Sequence, residues 1–165
     1  MPLTIAEIPA LGGTLALCPM PGRDGRYRTD LATLRDWQPA LVLTLTSRLE
    51  LAVKGASTLP ADLAAAGIDW RHLPVPDFGT PGAHSAALWP DTSDHARTLL
   101  TRGGKVLVHC MGGCGRSGMA VLRLLTDAGE DPDTALARLR VARPCAVETK
   151  AQFRWAAPHH AHSSW

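Results

Sequence analysis

The chain has no apolar stretch approaching the roughly 20 residues that cross a bilayer, so no membrane span is expected in its 165 residues. It has no basic start leading into an apolar run. Residues 1–10 include Pro2, Glu7 and Pro9, so no signal peptide is expected and the cytoplasm is the expected location. It has no basic run and a net charge of only +2, which argues against a nucleic-acid partner. Lysine is scarce, three residues against fourteen arginines. That ratio reads as the codon bias of a GC-rich, bacterial genome and not as a phosphate-binding surface. Cysteine is scarce as well. Cys18, Cys110, Cys114 and Cys145 contain one close pair with no histidine cluster beside it, a poor pattern for zinc. With no export signal, free thiols are expected in place of a disulfide framework.

What is present is the composition of a soluble globular protein, 45% hydrophobic and 19% charged. Neither a repeat nor a low-complexity linker divides it. One domain is therefore expected over 1–157, followed by a histidine-containing tail at 158–165. Residues 14–17 form a short apolar run, followed by a Pro- and Gly-rich loop. Thr29 or Asp30 is expected to cap a helix ending near 38. Residues 40–46 and 68–75 read as strands, with a helix at 60–66 between them. A helix at 83–102, with a break expected at Pro90, ends at Gly103-Gly104. A short strand at 105–109 follows, then helices near 117–127, 131–142 and 148–157. Strands alternating with helices predict an α/β fold, a central and mostly parallel sheet with helices on both faces.

The strongest local signal is His109-Cys110-Met111-Gly112-Gly113-Cys114-Gly115-Arg116-Ser117-Gly118. A buried strand enters a glycine-rich turn and leaves it as a helix. Glycines let backbone N–H groups approach an anion closely, and the helix N-terminus adds partial positive charge. Arg116 supplies a planar fork for two phosphate oxygens. The same field favours the thiolate of Cys110, so one loop binds a tetrahedral dianion and aims a nucleophile at its centre. Ser117 is placed to donate to that sulfur. Met111, Gly112, Gly113, Cys114, Gly115 and Arg116 are the expected phosphate-binding residues. A nucleotide-binding Walker loop is excluded, because no lysine precedes Ser117.

His-Cys-x5-Arg-Ser resembles the signature of the protein tyrosine phosphatase superfamily. The form here is similar to its dual-specificity branch, and within that to kinase-associated (cyclin-dependent kinase inhibitor 3-like) phosphatases. The resemblance extends to 16–22 (ALCPMPG), to 76–81 (PDFGTP), which resembles the mobile general-acid loop, and to 147–153 (VETKAQF), which resembles the water-positioning loop. It implies a phosphorylated protein or peptide as substrate and neither metal nor cofactor.

Two aspartates compete as general acid. Trp89-Pro90-Asp91 spells the family's acid motif literally, but Asp91 is only 19 residues before Cys110, inside the expected long helix. Asp77 directly follows a strand, at the carboxyl edge where ligand sites of such sheets lie, so Asp77 is the expected acid. Gln152 resembles a water-positioning glutamine, with Glu148 standing where another glutamine often is. His109 is expected to orient the loop by an internal hydrogen bond, and Arg48 resembles an arginine of the site rim. Cys114 or Cys18 could pair with an oxidised Cys110, but the tight loop favours inert cysteines for both. Rival activities fit less well. A phosphoprotein-binding pseudophosphatase would lack one of nucleophile, arginine and acid. A phosphoinositide phosphatase usually carries lysines in the loop, an RNA triphosphatase a basic channel, and an arsenate reductase its loop near the N-terminus. Phosphotyrosine against phosphoserine preference and oligomeric state are not legible in these residues.

Overall fold

The computed structural model describes residues 2–160. Of the expected tail, 161–165 lie outside the described residues. In chain order the elements are β1 (Ala6–Ala10), β2 (Gly13–Cys18), α1 (Tyr27–Trp37), β3 (Leu41–Thr44), α2 (Arg48–Val53) and α3 (Leu59–Ala65). Then come β4 (Asp69–His72), α4 (Ala83–Thr101), β5 (Lys105–His109), α5 (Gly115–Asp127), α6 (Pro132–Ala142) and α7 (Lys150–Ala156). No described helix is long and apolar enough to cross a membrane.

Strand alternation builds the two layers. Successive side chains leave a strand on opposite faces. Leu15, Leu17, Leu41, Leu43, Val106 and Val108 therefore enter one core with residues of α4 to α7. Ala16, Cys18, Val42 and Leu107 enter the other with residues of α1 and α3. Burial on both faces is why these strands read as unbroken apolar runs. The strand order is β1-β2-β5-β3-β4, parallel except for β1, which runs antiparallel to β2. The expected α/β architecture is thus present, with an antiparallel edge added.

Several local expectations need correction. β1 was not expected. Ala6, Ile8 and Ala10 alternate inward with Glu7 and Pro9 outward, and an edge strand tolerates the proline. α1 starts at Tyr27, ahead of Thr29 and Asp30, and Asp30 is buried in its first turn, accepting the Gly22 N–H at 2.9 Å. Its carboxylate pins the preceding loop instead of capping. α2 was not expected either, although Ser47 and Glu50 form a reciprocal capping box. α4 runs unbroken through Pro90. Tertiary anchors on both sides, Trp89 Nε1 and Ser93 Oγ to Asp127 at 2.9 and 2.7 Å, offset the hydrogen bond that proline forfeits.

The parallel register aligns Cys18 and Thr44 with His109, and Thr44 with His72. Four strands therefore end together at one carboxyl edge. The central strand β5 runs straight into residues 110–114 there, the place where open α/β sheets put their sites.

Candidate active site

The loop at 110–114 turns its carbonyls to the protein. Met111 O accepts the Met20 N–H at 3.1 Å, and Cys114 O accepts Gly118 N–H at 2.9 Å and Val147 N–H at 3.2 Å. Gly112 O and Gly113 O each accept from the Arg143 guanidinium at 2.9 Å. The N–H groups of Met111, Gly112, Gly113 and Cys114 have no protein acceptor among the described residues. A chain segment with every carbonyl engaged and a run of free N–H groups is a cradle for an anion. Gly113 is required for it. Its φ is +70°, and a Cβ there would lie 2.5 Å from the backbone of Cys18 and Pro19.

Cys110, 3% exposed, sits at the floor of this loop with its Sγ 3.2 Å from Ser117 Oγ. Arg116 is a charged side chain only 2% exposed. Its Nη1 donates to Glu50 Oε2 at 3.1 Å and to Val75 O at 3.0 Å, and its Nη2 to Glu50 Oε1 at 2.9 Å. Two-point binding fixes the plane of the guanidinium. Burial alone would raise the Glu50 carboxyl, but the hydrogen bonds from Arg116 and Ser47 outweigh it and hold Glu50 below the usual carboxylate range. Asp77 Oδ1 lies 3.5 Å from Arg116 Nη2 on an exposed turn.

Behind the loop, His109 Nε2 lies 2.7 Å from Thr44 Oγ1, which also accepts Trp70 Nε1–H at 2.8 Å. Burial pushes His109 down to about 4, so the ring is neutral near pH 7. Burial, with nearby Cys110 second, pushes the Cys18 thiol far above its ordinary value, and Cys18 is free.

Cys110, Arg116, Ser117, Asp77 and the loop residues are therefore brought together as expected. Gln152 joins them from α7. Fully buried, it accepts the Glu148 N–H through Oε1 at 2.9 Å and donates through Nε2 to Gly79 O at 3.2 Å. A Cβ on Gly115 would lie 3.1 Å from its Oε1. Asp91 is exposed on α4, the helix position expected for it, and Arg48 lies over the Trp70 ring, 5.9 Å from its centroid. One expectation is overturned. Cys114 and Cys145 are not free thiols but are disulfide-bonded to each other. The two residues are 31 positions apart in sequence, but the turn after α6 brings their Cα atoms to 5.1 Å. Sequence reading also missed Glu50 and Arg143. The Ser47-x-x-Glu50 spacing could have located α2, but neither residue carried a signal of its contact with the loop.

A family model described as "Tc-R-P: Polymorphic toxin system, DSP-PTPase phosphatase" matches residues 19–130. The chain is 32% identical over 148 residues to cyclin-dependent kinase inhibitor 3 of Mus musculus, an alignment covering 86% of this chain and 69% of that protein. It is 29% identical over 149 residues to the Homo sapiens protein of the same name, with the same coverage of each. Among solved structures it is similar to kinase-associated phosphatase carrying a serine at its catalytic-site cysteine, with a TM-score of 0.82, 26% identity and 99% of each chain covered. It is also similar to Tk-PTP in its active form, with a TM-score of 0.71, 27% identity, and 93% of this chain and 95% of that one covered.

Proposed function

Because the chain belongs to the DSP-PTPase phosphatase family and is a cysteine-dependent protein phosphatase, we propose that it hydrolyses phosphotyrosine, or phosphotyrosine and phosphoserine/threonine alike, through a cysteinyl-phosphate on Cys110. The observation that carries this reading is the pairing of a nearly buried sulfur with unengaged N–H groups and a fixed guanidinium. In the first step the Cys110 sulfur attacks phosphorus. The P–S bond forms as the ester P–O bond breaks, and Asp77 gives its proton to the departing oxygen. The loop N–H groups and Arg116 take up charge on the equatorial oxygens. In the second step the Asp77 carboxylate takes a proton from water, which attacks phosphorus as the P–S bond breaks. Ser117 donates to the departing sulfur. Gln152 lies between the Asp77 turn and Gly115, which supports its assignment to the side from which the water attacks.

The solved relative with serine at its catalytic-site cysteine supports the choice of nucleophile. The test is rapid acid quench during turnover of an aryl phosphate, followed by peptide mass spectrometry. One phosphoryl group should appear on the peptide containing Cys110, and Cys110→Ser should show neither adduct nor turnover while still binding phosphate. Substantial turnover by that variant would overturn the assignment.

A further inference from the structure

The disulfide joins the catalytic loop to the segment that supports it. Cys114 is the fourth residue after Cys110, and Cys145 lies in the turn between α6 and α7. That turn also holds the loop through Arg143, on Gly112 O and Gly113 O, and through the Val147 N–H on Cys114 O. Val147 has φ 65°, a left-handed value that a β-branched residue adopts only when its surroundings impose it. The bridge is two residues from it. The bridge is also open to solution. Cys145 is exposed and Cys114 half-buried, whereas Cys18 and Cys110 are buried. A thiol arriving from solvent meets the bridge before it meets the nucleophile.

We propose that Cys114–Cys145 is a redox-active site, opened by low-molecular-weight thiols or dithiol proteins, that sets the affinity of the catalytic loop for phosphate. It rests on the reading of that loop as the phosphate cradle. An external thiolate attacks Cys145 Sγ. A new S–S bond forms there, the Cys114–Cys145 bond breaks, and the electron pair leaves on Cys114. A second thiol then resolves the mixed disulfide. In all, two thiols are oxidised to one disulfide and the bridge is reduced to two cysteines. Cys114 is the leaving sulfur on two grounds. Arg143 Nη2 is 3.9 Å from its Sγ, and the residue is the N-cap of α5. Both favour negative charge on it.

Opening the bridge has two consequences, and both weaken phosphate binding. The turn at Val147 loses the covalent tie that helps hold its left-handed backbone, and with it the hydrogen bond to Cys114 O is weakened. A thiolate at residue 114 also places negative charge beside the cradle, where it repels a dianion and draws Arg143 from the loop carbonyls. The oxidised bridge is the competent state, although the nucleophile itself must be reduced.

Cys110→Ser separates these two thiol chemistries, because it cannot turn over or oxidise at position 110. Inorganic phosphate is titrated into it calorimetrically before and after dithiothreitol, with thiols counted by alkylation of the denatured chain. One thiol is expected before reduction and three after, with Kd for phosphate rising about fivefold, the effect of one charge at a helix N-terminus. Cys110→Ser/Cys145→Ser should bind with the weaker Kd from the outset and ignore the reductant. An unchanged Kd after two new thiols are counted overturns the proposal, and so do three thiols before any reductant. If Cys110→Ser binds no phosphate in either state, the cradle reading fails and takes the proposal with it. Residual turnover by that variant overturns the nucleophile assignment alone.

Discussion

Glu50 offers the sharpest test of how the arginine is held. Arg116 is 2% exposed and gives Glu50 two hydrogen bonds, at 3.1 and 2.9 Å. Removing one partner of a buried pair costs about 3–5 kcal/mol, because the other charge stays desolvated. Here the Glu50 side chain is 27% exposed, so water takes part of the load and about 1–3 kcal/mol is expected. Glu50→Gln isolates that loss, since glutamine can still complete the capping box with Ser47. Glu50→Ala removes the box as well and should cost about 1 kcal/mol more. An unsupported guanidinium also swings away from the phosphate oxygens it is proposed to hold. At about 1.4 kcal/mol per factor of ten, kcat/KM should fall roughly 10- to 100-fold in both variants. Urea melts give the first quantity and initial rates on an aryl phosphate the second. If Glu50→Gln matches the parent within about 0.5 kcal/mol and twofold in kcat/KM, the carboxylate is not what positions Arg116.

Asp77→Asn should slow hydrolysis of phosphotyrosine or phosphoserine peptides by about 10²- to 10⁴-fold, much less on an aryl phosphate with an activated leaving group, and should flatten the basic limb of the pH–rate profile. Asp91→Asn should leave rates alone; the reverse pattern would reinstate the Trp89-Pro90-Asp91 string as the acid loop. Stability should fall as pH drops from about 6.5 to about 4, because burial holds His109 down at about 4 in the folded chain while the unfolded chain takes up its proton near 6.5. That gap corresponds to a loss of order 3 kcal/mol, with His72, also lowered chiefly by burial, acting in the same direction. Urea midpoints across this window check it, and a parent profile as flat as that of a His109→Gln variant would show that the ring is not buried in its neutral form.

What the sequence made legible was contiguous. Cys110, the glycines, Arg116 and Ser117 are consecutive, so strand, turn and helix chemistry can be read from one string. The doubly buried strands at β3 and β5 announce themselves because both faces are apolar. Asp77 was legible at one remove, since it follows a strand and so had to lie at the carboxyl edge. What was not legible depends on contacts across the chain. Glu50 is 66 positions from Arg116 and Arg143 is 31 from Gly112, and no local propensity encodes either pairing. Pro90 misled for a related reason. Its local cost is real, but Trp89 and Ser93 both reach Asp127, and that tertiary anchoring prevails over helix propensity.

The Asp77 turn and the loop at 110–114 are joined by a residue that belongs to neither. Phe78 has φ 59°, at a turn position where glycine would be unstrained, and the Gly79 N–H closes that turn on Pro76 O at 2.9 Å. The turn persists because Gly79 O accepts from Gln152 Nε2 at 3.2 Å, while Gln152 Oε1 accepts the N–H groups of Glu148 and Thr149 at 2.9 and 3.3 Å. Glu148 and Gln152 in turn pack where any side chain on Gly115 would have to go. A buried amide with both ends satisfied holds a fixed orientation. The separation between the Asp77 turn and the helix that follows Cys110 is therefore set through the Gln152 side chain, not by the flexibility of either loop. Such positioning keeps an exposed carboxyl, carried on a strained turn, beside the Arg116 guanidinium, 3.5 Å from its Nη2.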